Sequence, residues 1–175
     1  MPPLKILITG ISGTGKSAAL TKLAARGYRV VDTDEPGWRE YVAYPKPIDE
    51  LHRGEWHWVQ DRMNALLDAD DGRSLFVGGG ARNQSLFYDR FDAVVLLTAP
   101  LDVMLDRVAR RTTNDYGKTE LERAEIVADL AEIEPLLRAS CTHELDASRP
   151  LEDVVADLIA IESQEDLNSS TSPTI

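Results

Sequence analysis

The sequence predicts an α/β fold in which a five-stranded parallel sheet carries helices on both faces. Two observations support this fold class. Short apolar runs alternate along the chain with segments of helical periodicity, which is typical of βαβ units. Glycine or aspartate residues follow several of these runs, where the carboxyl ends of parallel strands gather the ligand-binding groups of such folds. No internal repeat or interdomain linker interrupts the pattern, so we predict a single domain over residues 1–162.

The individual elements follow from local patterns. Strands are predicted at residues 4–9, 28–31, 75–77, 93–97 and 142–145, because each is a short apolar run. Helices are predicted at residues 17–26, 55–70, 101–111, 120–140 and 151–161, with an irregularity at Pro135. The proline-rich residues 38–47 and the polar residues 112–119 are predicted loops, and residues 163–175 a flexible tail.

Composition narrows the function classes. The 19 basic and 30 acidic residues give a net charge of −11, which repels nucleic acids and anionic membranes, so neither is an expected partner. Cys141 is the single cysteine, so no disulfide forms within the chain. The sequence contains no apolar run long enough for a membrane span, and we expect a cytoplasmic protein. Monomer and homodimer remain open.

Residues 10–17 read GISGTGKS and match the pattern G-x-x-x-x-G-K-[ST] in full. Glycines let the backbone wrap so that its N–H groups point at phosphate oxygens, and the following helix directs its positive end at the same anion. In this pattern the lysine reaches the β- and γ-phosphates and the hydroxyl ligates Mg²⁺. The residues predicted to bind Mg·ATP are Gly10, Ser12, Gly13, Thr14, Gly15, Lys16 and Ser17.

Two aspartates follow the second predicted strand. Asp32 and Asp34 are two residues apart, so in an extended segment their side chains share one side. Phosphoryl transfer needs one carboxylate near the attacking hydroxyl and one near Mg²⁺, and this pair could meet both needs. The alternative is an acidic, solvated loop that includes Glu35. A run of three glycines, residues 78–80, ends the third predicted strand and permits close approach of the backbone to a ligand.

Together the phosphate loop, the D-x-D pair and the triple glycine resemble the small P-loop kinases of the shikimate kinase and nucleoside-monophosphate kinase group, over residues 4–161. The resemblance implies a P-loop NTPase fold with a short lid, at about residues 112–119. It also implies that Asp34 contacts the acceptor hydroxyl, that Asp32 supports Mg²⁺ together with Ser17, and that Gly79 and Gly80 touch the acceptor.

Cations are concentrated around the predicted lid, which is unusual in so acidic a chain. Cations that close over the triphosphate would neutralise charge in the transition state. The resemblance assigns this role to Arg111 and Lys118, which join Lys16 and Asp34 as predicted catalytic residues, and it places Arg107 and Arg149 at the adenine. Alternatively, these cations pair with carboxylates of neighbouring helices.

The acceptor is less well defined. Shikimate kinases bind the substrate carboxylate with two arginines, and the matching positions here are Val59 and Ile133, so shikimate itself is disfavoured. Arg62, one helical turn after Val59, is the predicted substitute. Residues 56–58, with sequence WHW, form either a wall on which a flat ring stacks or a core residue, Trp56, beside surface residues.

The leading hypothesis is therefore an ATP-dependent kinase that transfers the γ-phosphoryl group to a hydroxyl or phosphate of a small metabolite, such as a nucleoside or nucleotide. A non-catalytic ATP-binding regulator is the main alternative, since both acceptor arginines are missing. A GTPase is disfavoured because no N-K-x-D motif follows the D-x-x-G of residues 34–37.

Overall fold

A computed structural model describes residues 3–171, with the side chains of residues 169–171 left out. The strands of its main sheet are β1 (Lys5–Thr9), β2 (Arg29–Asp32), β5 (Leu75–Gly78), β6 (Ala93–Thr98) and β7 (His143–Asp146). The sheet is parallel throughout and has the strand order β2-β5-β1-β6-β7. The five-stranded parallel sheet predicted from the sequence is thus confirmed.

Helices cover both faces of the sheet because its strands are apolar on both faces. The helices are α1 (Lys16–Ala25), α2 (Gln60–Asp68), α3 (Leu101–Arg110), α4 (Glu120–Glu132), α5 (Glu134–Ser140) and α6 (Leu151–Thr171), with a short 3₁₀ helix at Gln84–Arg90. Ile6 and Ile8 of β1 pack in one buried cluster with residues of α1 and α6, whereas Leu7, on the opposite face, packs in another with α2. Continuous apolar strands of this kind are expected in a doubly covered parallel sheet.

A β-hairpin lies where the sequence predicted a loop and the start of a helix. Strands β3 (Arg39–Ala43) and β4 (Gly54–Trp58) pair antiparallel, and α2 begins only at Gln60. The prediction of a helix from residue 55 was therefore wrong over its first turn. Trp56 and Val59 fit a helical spacing by chance, because they lie on the strand and at the turn that precede the real helical face.

Two other helix boundaries test the sequence reasoning. The irregularity at Pro135 is confirmed, since α4 ends at Glu132 and Pro135 lies in the first turn of α5, where its missing N–H costs little. The prediction that the last helix ends at Ile161 was wrong, because α6 continues to Thr171 through the segment predicted as a flexible tail. Residues 172–175 of that tail lie outside the described residues.

Among the residues that the structure describes, no helix combines the length and apolar character needed to cross a membrane.

Candidate active site

The phosphate loop joins β1 to α1 in a conformation that two of its glycines make possible. Gly10 and Gly13 have φ angles of +149° and +92°. A Cβ atom on Gly10 would lie 2.5 Å from the carbonyl oxygen of Leu97, and one on Gly13 would lie 2.6 Å from that of Met104. Only glycine fits such close approach to another backbone, so these two positions fix how tightly the loop is wound.

Lys16 places its ammonium group at the centre of this loop. Its Nζ atom donates hydrogen bonds to the carbonyl oxygens of Gly10, at 2.7 Å, and Ile11, at 3.1 Å. Burial lowers the pKa of Lys16, while the nearby carboxylates of Asp34 and Asp32 act in the opposite direction. A desolvated cation is thus held where a terminal phosphate would approach the loop.

A cavity of about 370 Å³ opens beside the loop and is large enough for a nucleotide. It brings together groups from separate parts of the chain: the phosphate loop, the segment after β2, α3 with the lid, and the segment between β7 and α6 with the start of α6. The predicted site residues among its lining are Ser12, Gly13, Thr14, Gly15, Lys16, Ser17, Asp34, Arg107, Arg111 and Arg149.

Ser17 and Asp32 form a pair of oxygen donors at the mouth of the loop. The Ser17 hydroxyl donates to Oδ2 of Asp32 at 2.5 Å, and Oδ1 of Asp32 accepts the backbone N–H of Asp34 at 2.9 Å. Hard oxygen donors suit Mg²⁺, which commonly takes one or two protein ligands and completes its shell with phosphates and water. Within the described part of the chain, no three His, Cys, Asp or Glu side chains cluster into a metal site of their own.

Asp34 lies at the junction between the nucleotide cavity and the hairpin. Its Oδ1 atom forms an ion pair at 3.1 Å with a guanidinium nitrogen of Arg39, from β3. The same nitrogen lies 3.5 Å from the carbonyl oxygen of Gly80, and the guanidinium carbon lies 5.1 Å from the ring centroid of Trp56. Sequence reasoning missed Arg39 because it treated this segment as loop; the alternation of Arg39, Tyr41, Trp56 and Trp58 around prolines was the available signal for a hairpin.

The triple glycine brings backbone into the same region. Gly79 has a φ of +129°, and a Cβ atom there would lie 2.0 Å from the Thr33 hydroxyl oxygen. Gly79 also donates its N–H to the carbonyl of Ile8 in the neighbouring strand at 3.0 Å. The chain after β5 therefore runs close beside the segment that carries Asp34, and Gly80 follows directly with its carbonyl towards Arg39.

Arg111 and Arg107 approach the cavity from the end of α3. Arg111 donates to the Ser12 hydroxyl at 3.2 Å and to the carbonyl oxygen of Tyr116 at 2.8 Å, while its Nε atom is buried without a hydrogen-bond partner. Arg107 donates to the carbonyl oxygen of Ala147 at 2.7 Å. Arg111 thus connects the phosphate loop to the lid. Arg107 connects the phosphate loop to the segment after β7, because it also contacts the Thr14 carbonyl oxygen.

Arg149 also lines the cavity, held by Asp157 of α6 at 2.5 Å and by the Asp146 carbonyl at 3.0 Å. Burial lowers the pKa of Arg111, with Asp34 acting against that change. Arg107 and Arg149 thus both line the cavity, each with its guanidinium group bonded to other parts of the protein.

Two predicted cations lie elsewhere. Lys118 donates to the carbonyl oxygens of Val108, Ala109 and Arg111 at 2.6, 2.9 and 2.7 Å, so it caps α3 instead of facing the cavity. Arg62 stacks on the ring of Trp38 at 4.0 Å and is absent from the cavity lining. A lysine near the C-terminal end of a helix readily donates to the free carbonyl groups there. The spacing from Arg111 alone could not reveal this competing interaction, so the prediction that Lys118 faces the cavity was wrong.

The core residue among the aromatic side chains of β4 is Trp58, and not Trp56 as the sequence suggested. Trp58 is fully buried and packs on Phe87 at a ring distance of 5.8 Å, whereas Trp56 is 47 % exposed. Trp56 contacts Tyr41 edge-on at 5.2 Å, and His57 pairs with Glu55 at 2.6 Å. A wall of three ring side chains is therefore wrong; a single half-exposed Trp56 lies beside Arg39.

Fold and cavity together are those of a small P-loop kinase. The AAA domain family (AAA_18) matches residues 6–128, well over half of the chain, and the chain belongs to that family. Over 170 residues it is 28% identical to shikimate kinase 2 of Yersinia enterocolitica, an alignment that covers 91% of this chain and 96% of that relative.

Solved structures share the fold. A shikimate kinase from Acinetobacter baumannii in complex with shikimate superposes with a TM-score of 0.60 at 18% identity, covering 98% of this chain and 96% of that one. A gluconokinase from Sinorhizobium meliloti 1021 gives a TM-score of 0.61 at 21% identity, covering 97% and 98%. The chain is an ATP-dependent small-metabolite kinase, as the sequence predicted.

Proposed function

We propose that this kinase transfers the γ-phosphoryl group of Mg·ATP to a hydroxyl group of a small metabolite, with Asp34 receiving that hydroxyl. One observation carries the proposal: Asp34 lines the same cavity as the Lys16 loop. A carboxylate there can orient the acceptor oxygen and take its proton while the phosphoryl group is held in line.

The other groups divide between nucleotide and metal. Lys16 and the loop amides would hold the β- and γ-phosphates, and Arg111 would neutralise charge on the transferring group. Ser17 and Asp32 would hold Mg²⁺, which when bound neutralises the phosphate oxygens. Arg107 and Arg149 would flank the base.

The acceptor cleft favours a neutral, hydroxyl-rich molecule over an anionic one. The two arginine positions of shikimate kinases are aliphatic, Val59 and Ile133. Arg39 is already paired with Asp34, and Arg82 with Glu55 at 3.2 Å, so the charge of each arginine is already balanced by a carboxylate of the protein and does not favour an anionic acceptor. Sugars, polyols and nucleosides meet this description, and Gly79 and Gly80 would give them backbone contacts.

Charge and composition support the remaining assignments. A net charge of −11 supports a small-molecule partner in preference to nucleic acid or an anionic membrane, in either a monomer or a homodimer. A single cysteine supports a cytoplasmic location, where ATP is supplied.

The test is ADP release with shikimate, D-gluconate, glycerol or deoxyadenosine as acceptor, for the parent protein and for Asp34→Asn. We expect a neutral acceptor, glycerol or deoxyadenosine, to stimulate ADP release more than the anionic shikimate and D-gluconate, and Asp34→Asn to lower that stimulated rate by about 100-fold or more, as for loss of a general base. Asp106→Asn is the matched control, because Asp106 is an exposed helix residue paired with Arg110. Tight ATP binding with no stimulation by any member of a wider panel would instead indicate the non-catalytic regulator.

A further inference from the structure

We propose that Arg39 is the positioning residue of the acceptor site, acting through Asp34. The proposal rests on the proposed function of Asp34 and adds a residue that no sequence motif identified. Its basis is the place of the Arg39 guanidinium among three groups, namely the Asp34 carboxylate, the Gly80 carbonyl and the Trp56 ring.

Arg39 restricts the orientation of the Asp34 carboxylate. The ion pair at 3.1 Å engages Oδ1 of Asp34, while the backbone N–H of the same residue is bound by Asp32 at 2.9 Å. Backbone and one carboxylate oxygen are therefore both fixed, and Oδ2 is left for the acceptor hydroxyl. A base that is itself oriented by a third group is a recurrent feature of activated catalytic sites.

The guanidinium group also contacts two further groups. The side chain of Arg39 is 25% exposed, and it lies against the Trp56 ring and the Gly80 carbonyl. A cation on an aromatic face with few accessible rotamers loses little entropy when it forms an ion pair. Arg39 meets Asp34 and Gly80 through one nitrogen while its plane lies against Trp56, so lysine could supply the charge at this position but not the delocalised plane that packs on the ring.

The packing of the hairpin determines where Arg39 lies. Arg39 pairs in register with the fully buried Trp58, so the core contact of β4 fixes the position from which Arg39 extends. Through this link, packing under the hairpin sets the geometry at Asp34. Displacement of about 1 Å at a reacting group can cost two orders of magnitude in rate.

The test compares Arg39→Ala and Arg39→Lys with the parent in ADP release, using D-gluconate, shikimate, glycerol and deoxyadenosine separately. ATP hydrolysis with water as acceptor is the readout if none of these stimulates turnover. We expect Arg39→Ala to lower kcat by about 10- to 100-fold, with KM for ATP changed less than about twofold. Millimolar guanidinium chloride, far below denaturing concentrations, should restore part of the Arg39→Ala rate, and Arg39→Lys should retain an intermediate rate.

Arg73→Ala is the matched control. Arg73 forms an exposed ion pair with Asp71, with 2.7 Å between the two charged groups, and it does not line the nucleotide cavity. An unchanged kcat in Arg39→Ala would overturn the proposal. So would a loss of kcat that comes with weaker ATP binding and a lower Tm and that guanidinium does not restore, since the role would then be structural. If Asp34→Asn is fully active in the same assay, the proposed function of Asp34 fails first, and the role of Arg39 fails with it.

Discussion

The nucleotide half of the site and the acceptor half are built in different ways. In the nucleotide half, we expect one continuous loop, residues 10–17, to hold the phosphates through its backbone groups and helix end, while Arg107, Arg111 and Arg149 line the rest of the cavity. The proposed acceptor half combines Asp34 after β2, Arg39 and Trp56 from the hairpin and Gly80 after β5. A site made of consecutive backbone is constrained by local sequence, whereas a site assembled from separate segments can change its specificity by changing one side chain.

The largest effect that would test this contrast is loss of Lys16. Lys16→Ala should lower turnover by about 100-fold or more and weaken Mg·ATP binding measured by calorimetry, because a buried cation at the phosphates is removed. Lys22→Ala is the control, since Lys22 lies in the same helix and makes an exposed ion pair with Glu152. Parent-like Mg·ATP binding by Lys16→Ala would show that the loop does not form the phosphate site.

The two tryptophans of β4 separate stability from specificity in the acceptor half. Trp58→Ala should lower the free energy of unfolding by about 3–5 kcal/mol, because the residue is fully buried. Trp56→Ala, at a half-exposed position, should change that free energy by less than about 1 kcal/mol and act on KM for the acceptor instead. Urea unfolding and acceptor kinetics on both variants measure the difference; equal losses of stability would mean that Trp56 is part of the core.

The smallest effect concerns how the hairpin is attached to the rest of the protein. His52, between β3 and β4, contacts Glu132 of α4 at 3.1 Å and Asp49 at 2.8 Å, and these carboxylates raise its pKa. A raised pKa means that the protonated His52 stabilises the fold below its ordinary pKa of about 6.5, and that this contribution is lost as pH rises through the folded-state pKa.

His52→Gln should therefore lower Tm relative to the parent at pH 5.5 and have no effect at pH 9, both measured by thermal unfolding. His143→Gln serves as the control, because His143 contacts the Thr142 hydroxyl and, within the described part of the chain, no carboxylate. A Tm difference that persists unchanged at pH 9 would show that the His52 ion pairs do not attach the hairpin to α4.

The same contrast explains how much the sequence could predict. The parallel sheet, the phosphate loop and the junction at Pro135 depend on local patterns, and all three were predictable. The hairpin was missed because Trp56, Val59 and Met63 imitate a helical spacing, and with it Arg39 was missed. Lys118 was assigned to the cavity by its distance from Arg111 along the chain, but its ammonium group donates to two carbonyl groups of the last turn of α3 and to that of Arg111 just after it.

The capping of α3 by Lys118 has a consequence for how charge reaches the phosphates. With that lysine bonded to the helix end, the cation that reaches the cavity beside the lid is Arg111, which follows directly on the last turn of α3 and already touches Ser12. A phosphoryl group in transit would then meet a positive charge fixed by a rigid helix, and no arm would have to swing in to deliver it. Preorganisation of this kind avoids the reorganisation energy that a mobile cation would add to the barrier.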